Sequence, residues 1–451
     1  MRRRPDRLFL LTGGVQGLAW SAGLPAVVWW VVELRLSPLQ LALLGTALVL
    51  TILLAEAPTG VLADLHGRKP SVVASFAVMG AAIGLMAASP AFGALIGWQA
   101  VWAVGWTMQS GAATAWVTDE LLTGSGRPPA GDEAGGASTD GGGAPSPAEP
   151  RHDGPRAALL DQLIVRHAMW RAVGVMVGVA VMVGAGSWSL RGALVIAGAL
   201  TLGFAAYLVG AMAETSFRRD TPDRRIARGA WREARAIWSH GAALTLRRRM
   251  LLGVVSSAVI AGFAGEAIER LDTLRLVTLG LPDYDGGEAV VFFGVVWFIM
   301  AGLSIPVMVW LRRRLATPDT PRDARLLVRL LAVASVGALA LAISPIFALA
   351  LAGWTILDVA GETTYPLAEA MANREASSGV RATVISFLGQ AEALGQVLGG
   401  VTLGLVAQFV SVPVALATAA GLFAVAAVPV AVARRVPPPG LVGEPAGGDS
   451  S

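Results

Sequence analysis

Gly60-Val61-Leu62-Ala63-Asp64-Leu65-His66-Gly67-Arg68-Lys69-Pro70 is the stretch that decides how this chain is read. It places one acid and two strong bases between two long apolar runs. Upstream, Leu36 to Ala55 is free of charge; downstream, none occurs from Ser71 to Thr118. The second run is too long for one membrane span of ~20 residues and right for two. A charged turn between such runs marks a membrane face. Gly60 allows close helix approach, and Gly67 a turn with positive φ.

Composition agrees. The chain is 55% hydrophobic and 15% charged, against about 25% charged in soluble domains. Cysteine is absent, which excludes disulfides, thiol catalysis and Cys-based metal sites. The four histidines are scattered without ligand spacing, and neither a Ser/Lys dyad nor a His-Glu motif is present. No enzyme, cofactor or metal is indicated. A P-loop, G-x-x-x-x-G-K-[ST], is missing too. The net charge of +4 does not indicate nucleic acid, because the bases are parcelled between apolar runs and suit anionic lipid instead.

Outward from the stretch, the chain begins with Arg2, Arg3, Arg4 and Arg7, then runs uncharged from Leu8 to Val32. That run is too long for a signal peptide and reads as a retained first span. Spans three and four turn near Ser89-Pro90. Residues 123–155 are Gly/Pro/Ala/Asp low complexity and read as a disordered cytoplasmic insertion. Spans five and six follow at about 168–187 and 190–212. In the interval 213–249, Trp231, Ala234, Trp238 and Ala242 share one helical stripe, as in a basic amphipathic surface helix. Span seven begins at Met250 and is read as ending in the charged sequence Glu266 to Arg275. Glu266, Glu269 and Arg270 there have i, i+3 and i, i+4 spacing and form a candidate outer-side cluster. Span eight covers about 289–311, nine and ten about 326–371, eleven and twelve about 381–433 with a turn at Val412-Pro413. The Pro/Gly-rich tail, 436–451, reads as disordered.

These are twelve transmembrane helices, an all-α integral membrane protein with six spans on each side of the central loop. The expected division is 1–212, 213–249, 250–435 and 436–451. Charge tests the count. With both termini cytoplasmic, the inner intervals hold 4, 2, 4, 10, 6, 2 and 2 Lys or Arg, thirty of the 35, as the positive-inside rule requires. A short repeat supports two pseudo-symmetric halves: Gly111 to Asp119 and Gly361 to Glu369 share Gly, Thr and an acid at one offset.

A six-plus-six chain with a long basic central loop resembles the major facilitator superfamily (MFS). The stretch after span two carries the resemblance. The family's G-x-L-a-D-r-x-G-R-K is matched by Gly60, Leu62, Ala63, Asp64, Gly67, Arg68 and Lys69, with Leu65 in place of a base. The resemblance covers residues 5–435 apart from the insertion. It implies that Gly60, Asp64, Gly67, Arg68 and Lys69, with Asp119 pairing Arg68, form a latch that breaks when the inside opens. Asp64 is expected to meet backbone N–H groups near Gly379–Ala382. Residues 115–121 and 381–383 are similar to the multidrug and tetracycline-type efflux branch. Span five carries Gly174-x-x-x-Gly178, but Val179 stands where drug–proton antiporters have Pro, and Val101 where they have Arg.

The resemblance also implies a cavity lined by spans one, four, seven and ten. Depth counting puts Gln16 and Trp20 of span one there, with Trp102, Trp106 and Gln109 on one face of span four. Asp358 and Glu362 share a face of span ten, and Glu392 lies midway along span eleven. An aromatic and amide wall facing acids suits an amphipathic, cationic small molecule. Lipid anchoring is the alternative for tryptophans and fits Trp29 and Trp30 better. Ionisable residues inside spans cost ~2.5–3.5 kcal/mol and are functional candidates by default. Asp358, Glu362 and Glu392 are therefore the candidate proton-coupling residues, with helix–helix hydrogen bonding as their structural alternative. The expectation is a secondary-active, proton-coupled exporter of amphipathic compounds; an importer or facilitator of a metabolite is the alternative, and a transporter-like sensor a third reading. A monomer in the bacterial inner membrane is expected.

Overall fold

A computed structural model describes residues 4–109, 111–123, 154–214, 235, 238–281, 284–317, 319–376 and 380–434. Residues 124–153 of the low-complexity insertion, Trp231 and Ala234 of the surface stripe, and the tail lie outside these residues. Among them all regular structure is helical. The helices are α1 (Pro5–Glu33), α2 (Pro38–His66), α3 (Arg68–Ala88), α4a (Phe92–Gln109) and α4b (Ala112–Thr123). Then come α5 (Gly154–Gly186), α6 (Leu190–Ala211), α7 (Arg249–Gly280), α8 (Gly286–Leu315), α9 (Thr320–Ile343), α10 (Phe347–Glu375), α11 (Arg381–Phe409) and α12 (Val412–Ala433).

Ten of these are long and apolar enough to cross a membrane. The other two spans, α4 and α10, carry polar freight. Segment α4a contains three tryptophans and two glutamines, and α10 contains Asp358, Glu362 and Glu369. The result is a twelve-helix integral membrane protein. Short polar caps set several starts: Ser189 Oγ accepts from Gly192 N (3.0 Å), Asp285 Oδ1 from Glu288 N (2.8 Å) and Ser411 Oγ from Val414 N (3.3 Å). Each satisfies an otherwise orphaned first-turn donor.

Three sequence expectations need correction. The Gly60 stretch is not a loop: α2 continues to His66, and Gly67 alone, at φ +106°, makes the turn. Nothing described lies within 4 Å of a Cβ at Gly60, so that glycine does not serve close packing here. Helix α7 does not end at its charged sequence but runs on to Gly280. The reason is local pairing, described below, which lets charges stand inside a helix. Trp29 and Trp30 are 1% and 2% exposed; they widen the end of α1 into a π turn packed near α7 and α8. They are interior residues, not interface anchors.

Contacts divide the chain into two compact units. The first comprises Met1–Ala26, Ala55–Pro90 and Ala100–Arg228; the second comprises Val27–Leu54, Ala91–Gln99 and Gly229–Ser451. Within the first, α1 packs on α5 and α3 on α6. Within the second, α7 packs on α11 and α9 on α12, the same pairings six helices later. Glycine makes them close. A Cβ on Gly174 would overlap the Gly14 carbonyl, and one on Gly80 would lie 2.8 Å from Leu202 N. In the second unit a Cβ on Gly395 or Gly399 would overlap the carbonyl of Val259 or Phe263. Small residues let backbones approach where lipid offers no hydrophobic drive between helices. The Gly174-x-x-x-Gly178 pattern is thus helix-packing surface. Gly111 sits at φ +77° and breaks span four, whereas Gly361 is inside continuous α10. The short repeat does not describe equivalent backbone.

Candidate functional site

The first unit holds a charged cluster around the Gly67 turn. Arg68 and Asp119 form an ion pair between the start of α3 and α4b, and Arg68 Nη1 also donates to Ala115 O (2.8 Å). A residue the sequence reading missed completes the cluster. Glu214 accepts from the backbone N–H of Arg68 (2.6 Å) and of Lys69 (3.3 Å). These are orphan donors of the α3 N-terminus, where a carboxylate is also favoured by the helix dipole. Beside it Trp116 Nε1 donates to Ala213 O (2.8 Å). Glu214 is the first acid after span six, its only signal in sequence. Asp64 is helical, at the end of α2. Its side chain lies outside the described atoms, as does Gly379 of its expected partners.

The same unit gathers three indoles. Trp102 and Trp106 stack at 5.3 Å and 22°, because they are four residues apart on α4a. Trp20 of α1 tilts against them at 5.8 and 5.3 Å. Trp102 is 7% exposed and Trp20 47%, so the cluster presents one open indole over a buried base. Gln109 is 4% exposed, and its Oε1 has no hydrogen-bond partner among the described residues. Gln16 is half-buried on α1. Tilted and stacked rings at these separations add ~0.5–1.5 kcal/mol per pair beyond area burial.

The second unit holds the carboxylates. Helix α7 carries Glu266, Glu269, Arg270 and Asp272. Arg270 Nε donates to Glu266 Oε1 (2.9 Å), and Arg270 Nη2 lies 3.9 Å from Glu269. Glu266 is 1% exposed. The N-terminal half of α2 and α11 enclose this pair. A Cβ on Gly45 would overlap Arg270 Nε and Glu266 Oε1, and one on Gly400 would lie 3.1 Å from Glu266 Cγ. Two glycines therefore make the socket for a buried ion pair. Asp272 is 8% exposed and accepts from the N–H of Thr273 and from Thr273 Oγ1 (3.0 Å). Arg275 turns away and donates to the carbonyls of Leu341 (3.3 Å) and Ser344 (3.1 Å) at the end of α9.

Helix α10 brings Asp358 and Glu362 to this group. Asp358 interacts electrostatically with Asp272, and Glu362 with Glu269. Glu392 of α11 is half-buried against α7, where Gly262 leaves room: a Cβ there would lie 3.1 Å from Glu392 Cγ. Six carboxyls thus stand on three mutually packed helices, and among the described residues Arg270 is the one base paired with them. Like charges at Glu266, Glu269, Asp272, Asp358 and Glu362 repel when all are ionised, and a proton or a cation relieves the repulsion. Asp272 joins the sequence-predicted set. Its signal was hidden by reading the charged sequence as a helix end.

A second ion pair was also missed. Arg374 at the end of α10 pairs with Asp323 at the start of α9, and Asp323 is 1% exposed. Its partners are 51 residues apart, as are Arg68 and Asp119, with acid and base exchanged. Arg374, not Glu369, occupies the place in α10 that Asp119 holds in α4b.

No family model matches the chain, and no curated relative matches it in sequence. Solved structures do. It is similar to the nucleoside transporter NupG, with a TM-score of 0.68 at 13% identity over 96% of this chain and 100% of that one. A bacterial homolog of the human lysosomal transporter Spinster, inward-facing and occupied, gives 0.64 at 16% identity, covering 96% of each chain. A POT family transporter in complex with 5-aminolevulinic acid gives 0.65 at 10% identity, over 95% of this chain and 96% of that one. The likeness is one of fold, the twelve-helix fold of MFS transporters.

Proposed function

We propose that the chain is a secondary-active membrane transporter of small molecules, working by alternating access and coupled to protons. The observation that carries this reading is the carboxyl group on α7, α10 and α11. A structural role asks for one acid per base; here one guanidinium, Arg270, serves an ion pair, while Asp272, Asp358, Glu362 and Glu392 form no ion pair among the described residues. Acids held so inside membrane-spanning helices are expensive unless they bind something. Asp358, Glu362 and Glu392 take the proton-coupling role, joined by Asp272. The indoles of Trp20, Trp102 and Trp106, with Gln16 and the unsatisfied Gln109, supply a platform for an amphipathic or planar substrate. The cluster of Arg68, Asp119, Lys69 and Gly67, with Asp64 and Gly60, acts as the conformational latch.

Export of amphipathic compounds is the first reading of direction. Uptake of a small metabolite is the second, favoured by structural neighbours described as nucleoside and peptide transporters and by Val101 and Val179 at the antiporter positions. The test is transport into and out of vesicles with an imposed pH gradient, against a panel of dyes, antibiotics, nucleosides and peptides. Accumulation that follows the gradient supports coupling. Transport indifferent to the gradient, and unchanged in Asp358→Asn and Glu392→Gln, would refute it.

A further inference from the structure

Helix α9 has two sharply different sides. Asp323, Ala324, Leu327, Leu331, Ala334, Gly337, Ala338 and Leu341 are buried. Arg325, Arg329, Val333, Val336, Leu339 and Ile343 follow at spacings of three and four and are all exposed. They form one stripe along the helix. Its upper part is bare aliphatic surface, as lipid requires: Val336 is 67% exposed and Ile343 63%. Its lower part is arginine.

Depth makes those arginines informative. A hydrocarbon core of ~30 Å takes ~20 helical residues at 1.5 Å each. Counted back from Ile343, that core reaches about Ala324. Arg325 then lies at its boundary and Arg329 roughly 7 Å inside, within reach of the headgroups for a snorkelling arginine. Neither arginine has an ion-pair partner among the described residues. The carboxylates nearest in sequence are committed: Asp323 faces the other way to Arg374, and Asp319 accepts from Arg322 N (3.0 Å). The end of α8, four residues before α9, adds exposed Arg312 and Arg313, with Arg314 lying over Trp310 at 5.2 Å.

We infer that the lower end of this α9 stripe, with the end of α8, is a docking site for an anionic phospholipid. Acyl chains cover Val333 to Ile343, and the phosphate is held by Arg325 and Arg329 with Arg312 or Arg313. Charge complementarity selects the occupant. A zwitterionic headgroup carries no net charge to match four guanidiniums, whereas a phosphatidylglycerol-type headgroup does. Each arginine near an anionic membrane surface contributes attraction of about fivefold in affinity.

The test uses the full chain in bilayer nanodiscs of phosphatidylcholine with a minority of phosphatidylglycerol. Spin-labelled lipids report which species is held at the protein surface. The expected result is ~fivefold or greater preference for phosphatidylglycerol, lost on Arg325→Gln/Arg329→Gln, kept in Arg325→Lys/Arg329→Lys and kept in the distant control Arg434→Gln. Salt should weaken it. No preference in the unaltered chain, or the same preference after the glutamine pair, overturns the inference. Should the glutamine pair fail to fold, a preference insensitive to salt overturns it equally. Displacement by inorganic phosphate alone would assign the arginines to a free anion. A change of oligomeric state in place of lipid loss would assign the stripe to a second copy.

Discussion

Gly45→Ala should loosen the contact between α2 and α7. The added methyl would occupy the place of Arg270 Nε and Glu266 Oε1 and stand 2.8 Å from Arg270 Cδ. The pair has little room to retreat, because Glu266 is 1% and Arg270 17% exposed, and Gly400 of α11 closes on Glu266 Cγ. Overpacking a tight interior site costs ~1–3 kcal/mol. If that cost falls on this conformation alone, α2 separates from α7 and α11 about five- to 150-fold more often. The chain has no cysteine, so one thiol can report. Leu39→Cys suits, being half-buried with Leu39 Cδ1 3.4 Å from a Cβ at Gly404. A membrane-impermeant maleimide should label it faster, by a factor in that range, in the Gly45→Ala background. Gly23→Ala, where nothing lies within 4 Å, should leave the rate unchanged. Equal labelling in the Gly45→Ala and parent backgrounds would refute the socket as a conformational contact. So would a loss of thermal stability with no change in labelling.

The two exchanged ion pairs should respond differently. Asp323→Asn leaves Arg374 facing a buried site and should destabilise by ~3–5 kcal/mol, read as a lowered Tm in detergent, with partial recovery in Asp323→Asn/Arg374→Gln. Arg68→Gln breaks a pair that is 26% and 42% exposed, so its stability effect should stay within ~1 kcal/mol while transport rate and conformational bias change. Trp106→Ala removes one ring of the indole platform, and a lost ring contact with a planar substrate costs ~0.5–1.5 kcal/mol. Its half-saturating substrate concentration should rise roughly two- to twelvefold in transport assays; an unchanged value would make the indoles structural. Asp272→Asn should weaken gradient-driven accumulation alongside Asp358→Asn while substrate exchange without a gradient persists. Full gradient drive in the Asp272 variant would remove it from the coupling set.

Much of the fold was legible because a bilayer simplifies the rules. Long uncharged runs, the Gly67 turn and the alternation of arginine-rich intervals fix twelve helices without any appeal to packing. The residues that escaped did so where pairing overrides hydropathy. Charges at Glu266, Glu269, Arg270 and Asp272 read as the end of a span, yet Arg270, Thr273 and two glycine-lined neighbours hold them inside one. Gly45 and Gly400 look like ordinary small residues until the pair they accommodate is known. Trp29 and Trp30 read as interface anchors because aromatic residues at a span end usually are; the π turn rotates them inward instead. The Asp323–Arg374 pair left a trace in sequence, the shared separation of 51 residues with opposite signs. The short Gly111 repeat pointed to a register five residues away from it.

Glu214 has a mechanical meaning. Its carboxylate moors the end of the first six helices to the first two amides of α3. Whatever tugs on the segment that follows therefore pulls first at Gly67, the single hinge between α2 and α3.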